Sequence, residues 1–101
     1  MDTNETVSLR KIGMLARRST PVERYNLLKR YETEEGQDRV WRMGCYILQD
    51  WGVCKALGID YASPDRNLVD YTAALLLEQG IADRDALYAL FPRPETLKPP
   101  Q

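Results

Sequence analysis

The chain contains no histidine. Its absence removes the commonest general base, the commonest metal ligand and every nucleophile that depends on an imidazole partner. Cysteine is scarce too. Cys45 and Cys54 stand nine residues apart, which is not the clustered spacing of a four-ligand zinc site. On one continuous helix they would lie about 13 Å apart along the axis, out of reach of a disulfide, so both are expected to be reduced, buried small hydrophobes. Neither GxGxxG nor GxxxxGK[ST] occurs, so no phosphate-binding glycine loop is expected. No apolar run approaches the ~18 residues of a membrane span, and the N-terminus lacks a signal-peptide pattern. On these features the protein is expected to stay in the cytoplasm. Alternating strand patterns and internal repeats are missing as well.

What remains reads as helix. The 101 residues suffice for one domain, and their 44% hydrophobic and 29% charged content is that of an ordinary globular protein. The longest periodic stretch is Gln37–Gly58, free of proline and carrying both tryptophans and both cysteines. Val40, Met43, Ile47, Trp51 and Cys54 recur at three and four, with Trp41, Cys45 and Leu48 alongside. The expected fold is all-α: a compact bundle of about five helices around a central helix 37–57, with an extended proline-rich tail. Residues 1–91 would form the single helical domain, frayed over 1–5, and residues 92–101 the tail.

Local signals place the other helices. Leu9, Ile12, Leu15 and Ala16 hold a helical period as far as Arg18. Thr20-Pro21-Val22-Glu23 carries a hydroxyl cap, proline at the first helical position and the glutamate of a capping box. That second helix is expected to present Val22, Tyr25, Leu28 and Tyr31 as a stripe and to stop at Gly36. Ser63-Pro64-Asp65 should open a fourth helix by the same logic, and Gly58 and Gly80 should end helices in the left-handed conformation. Asp83 should cap a short fifth helix whose Leu87, Leu90 and Phe91 point inward, with Pro92 beyond it.

Charge is uneven. Residues 1–31 hold seven basic and three acidic side chains, and residues 32–101 hold seven basic and twelve acidic. The simplest cause is packing of basic helices on an acidic remainder. Acid groups at Glu34/Glu35/Asp38 and Asp83/Asp85 adjoin helix starts, where carboxylates serve caps and dipoles. With no base, nucleophile or cofactor motif, the sequence points to a non-enzymatic protein that needs no cofactor or metal.

Two functional readings follow. In the first, a small regulator, adaptor or inhibitor binds a partner protein through Arg39, Trp41, Arg42, Tyr46 and Trp51, because Trp, Tyr and Arg dominate binding hot spots. Leu75, Leu76 and Leu77, in a run apolar nearly all round, would supply a homodimer face if not buried. The second reading is a DNA-binding regulator. Gln49–Asp70 resembles the helix-turn-helix of bacterial repressors in Cys54, then Leu57-Gly58-Ile59, then another helix. The resemblance implies a recognition helix after the turn, but Pro64 falls where that pattern puts an aliphatic residue. The better footprint for nucleic acid is Arg10, Lys11, Arg17 and Arg18 on the first helix.

Overall fold

Asp50 breaks the stretch expected to be one helix. In the computed structural model, which describes residues 8–90, helix α3 spans Glu34–Leu48 and α4 spans Trp51–Leu57. Between them the Asp50 backbone is extended, and one of its carboxylate oxygens accepts from the amides of Gly52 and Val53 at 3.0 and 3.4 Å. This is a side-chain N-cap in a buried setting. The apolar period runs across the break because Ile47 and Trp51 keep their spacing of four, so periodicity alone conceals it. The two cysteines consequently sit on different helices, and both are free. Cys54 is buried with its thiol toward the Ile47 carbonyl, while Cys45 is only half-buried. Burial, then the nearby Asp50 charge, pushes the Cys54 thiol up to about 11.

The other helices are α1 (Leu9–Arg18), α2 (Pro21–Lys29), α5 (Arg66–Glu78) and α6 (Arg84–Tyr88). The fold is all-α: among the described residues there are six helices, which account for 71% of those residues, and no strand. The capping box forms as expected, Thr20 and Glu23 exchanging side-chain to backbone hydrogen bonds at 2.8 and 3.1 Å. Gly58 and Gly80 take positive φ, and each is followed by an isoleucine whose amide reaches back across the turn, Ile59 to Cys54 and Ile81 to Leu76. Both ends are Schellman motifs with a buried apolar residue after the glycine. Asp83 caps the last helix, Leu87 is fully buried and Leu90 half-buried; Phe91 lies outside the described residues.

Two boundaries differ from expectation. The second helix ends at Lys29, and Thr33 caps α3 by accepting from the Gly36 amide at 3.0 Å. Gly36 is therefore inside α3, and it must lack a side chain because a Cβ there would stand 2.9 Å from the Tyr31 backbone. At the fourth expected helix, Asp65 rather than Ser63 accepts from the first-turn amides. The proline-rich tail lies outside the described residues.

The element the rest packs on is α5. It meets α1, α2 and α3, while α4 packs on α1 and α3. Val69, Thr72, Ala73, Ala74 and Leu76 are all fully buried, which accounts for a helix apolar nearly all round. Leu76 and Leu77 thus belong to the core of one chain and Leu75 is half-buried, so the three do not present a dimer face. Between α2 and α5, the Tyr31 hydroxyl donates to Glu78 and Arg30 pairs with the same carboxylate at 3.2 Å. Burial, then that carboxylate, raises the tyrosine to about 12. A phenol held protonated by the fold stabilises it fully below the ordinary tyrosine pKa of about 10, and that stability is lost as pH climbs from 10 through 12. Tyr31→Phe should be less stable than the parent at neutral pH by about 1 kcal/mol. Its urea midpoint should fall less than the parent's between pH 9.5 and 11.5; equal falls would refute the assignment.

Candidate functional site

Helix α2 buries none of its nine residues fully. Val22, Tyr25, Leu27 and Leu28 are spread around it, so one face cannot cover them all. Leu27 and Leu28 turn half-inward, and the Val22 and Tyr25 side of the expected stripe faces solvent. Across from α2 stands the flank of α3 that carries Gln37, Val40 and Trp41. The first two turns of α5, with Arg66, Asn67 and Asp70, complete a polar rim. These three elements enclose an open groove of about 1050 Å³. Leu28, Tyr31 and Val40 form its apolar interior, and Tyr25 and Trp41, each 60% exposed, form its two lips.

One guanidinium fixes the geometry. Arg24 donates through Nε to Ser19 Oγ at 2.7 Å, through Nη2 to the Ala16 carbonyl at 3.3 Å and through Nη1 to Asn67 Oδ1 at 3.0 Å. It satisfies the C-terminal end of α1 and bolts α2 to α5, and it lies 5.9 Å from the centre of the Tyr71 ring. Asp70 pairs loosely with Arg66 at 3.8 Å, yet burial outweighs that attraction and raises its carboxyl above the usual range. On the outer wall, the Lys29 ammonium sits 5.6 Å over the Tyr25 ring.

The groove gathers one of the five residues expected at a partner site. Trp41 lines it. Tyr46 follows five positions later on α3, about 140° around the axis, and is half-buried against the core. Arg39 lies over the Tyr31 ring at 5.9 Å and Arg42 pairs with Asp38 at 2.7 Å. Trp51 is half-buried on α4 with Lys55 over its ring at 4.9 Å. The five therefore do not form one patch, and Trp41 is joined instead by Tyr25 and Pro21. The surplus of apolar side chains on a short helix was the available signal for Tyr25. Among the described residues, no three His, Cys, Asp or Glu side chains gather to hold a metal ion, and no helix is long and apolar enough to cross a membrane.

The basic residues of the first helix divide as well. Arg10, Lys11, Arg17 and Arg18 are all exposed, but among the described residues Arg17 alone is engaged, donating through Nη1 to the Leu57 carbonyl at 2.6 Å and closing the C-terminal end of α4. No family model matches the chain, and no curated protein or solved structure is significantly similar to it.

Proposed function

We propose that the chain is a small non-enzymatic binding module, of the regulator, adaptor or inhibitor kind, that docks a partner protein in the groove between α2, α3 and α5. The observation that carries this reading is the pair of aromatic lips. Two large rings with most of their surface in water, facing one concave apolar floor, are what a partner side chain or helix would desolvate. Asn67, Gln37 and Arg66 at the rim supply polar groups that would fix its orientation.

Because both lips are exposed, Trp41→Ala and Tyr25→Ala should change thermal stability by no more than about 0.5 kcal/mol. A protein captured from native lysate by the parent chain should lose about 2 kcal/mol of affinity, roughly thirty-fold, on either substitution. Arg42→Ala, on another flank of α3, should leave capture intact. Retention of the same partner by Trp41→Ala would place the contact elsewhere on the molecule.

A further inference from the structure

We propose that the outward face of α1 binds the phosphodiester backbone of a nucleic acid. The inner face of the helix, Leu9, Ile12, Gly13 and Ala16, packs against α4 and α5. At about 100° per residue, Arg10, Lys11, Met14 and Arg18 occupy the opposite side, and all four are exposed. No aspartate or glutamate occurs from Ser8 to Val22. No carboxylate of the described residues lies within ion-pair distance of Arg10, Lys11 or Arg18. The surface is independent of the groove, since no residue of α1 lines it.

Charge and shape select the ligand. Arg10 and Arg18 are eight residues apart, about 12 Å along the axis. A duplex carries one charge per ~1.7 Å, so that length faces on the order of seven phosphates, enough for each of three cations. Guanidinium forks suit phosphate oxygens. A helix held at an anionic membrane gains most of its affinity from an apolar face it can insert, and the apolar face of α1 is spent on the bundle core, leaving only Met14 and Leu15 outside. The acidic excess of residues 32–101 keeps overall attraction weak, so binding should be local and strongly salt-dependent.

The test is fluorescence anisotropy of a labelled mixed-sequence duplex of about 20 base pairs, titrated with the nuclease-treated full chain from about 20 to 200 mM salt. Three phosphate contacts predict a slope of about −2.7 in log K against log salt. Arg10→Glu with Arg18→Glu should weaken binding at least ten-fold and bring the slope to about −1, while Trp41→Ala should bind the duplex like the parent. The proposal fails if the parent chain does not bind at about 20 mM salt or shows no salt slope, measurements that need no variant to fold. It also fails if the double variant, folded by circular dichroism, binds equally well. Equal binding of polyglutamate would overturn it in favour of an acidic protein surface.

Discussion

Gly13→Ala is expected to lower stability by about 3 kcal/mol or more, although helix propensity alone favours the change by ~1 kcal/mol. An added Cβ at residue 13 would lie 2.0 Å from the Leu57 carbonyl oxygen, 2.6 Å from its carbon and 2.8 Å from its Cα. All three are backbone atoms at the end of α4, so no side chain can swing aside. The same carbonyl is held by Arg17, which would have to move with it. Relief demands that α1 and α4 part by more than 1 Å, loosening Ile12, Ala16, Val53 and Leu57 together. Gly44 offers the internal comparison, since its nearest neighbour would be Val69 Cγ1 at 3.3 Å, a side-chain atom that can shift. In urea denaturation Gly13→Ala should be far the worse of the two. A Gly13→Ala protein as stable as the parent would mean that α1 and α4 do not meet there.

Leu76→Ala should cost about 2 to 5 kcal/mol and lower Tm by about 10 °C or more. The side chain is 0% exposed and sits on the helix that α1, α2 and α3 all contact, so truncation leaves a cavity that cannot collapse from one side alone. The loss should be independent of protein concentration, because the contacts are within one chain. Leu75→Ala, half-exposed, should cost clearly less. If Leu76→Ala instead made Tm concentration-dependent or dissociated an oligomer in light scattering, the residue would be at an interface between copies.

How far the fold was legible follows from these elements. Where one residue's chemistry decides a boundary, the sequence carried it: Thr20 with Glu23, Gly58, Gly80 and Asp83 all act as their types require. Where a boundary depends on a competing signal, the sequence misled. Asp50 caps α4 in the middle of an unbroken apolar period, and Gly36 serves close packing against Tyr31 rather than a helix end. Burial of α5 was one of two readings open to an apolar run, and tertiary contacts chose between them. At the candidate site Trp41 could be singled out by type, but Tyr25, Arg24 and Asn67 come together only because α5 crosses beneath α2 and α3. No spacing along the chain encodes that meeting.

Helix α2 has a consequence of its own. With no fully buried residue, it is held by its capping box, the Arg24 hydrogen bonds, the Arg30–Glu78 pair and two half-buried leucines. None of these anchors lies deep in the core, so α2 is expected to open locally at a lower free energy than α3 or α5, which amide hydrogen exchange would read as weaker protection. It is also one wall of the groove. One wall of the cleft is thus its least anchored long helix: a partner settling between Tyr25 and Trp41 would spend part of its affinity fastening α2, and would lend that helix protection it does not have alone.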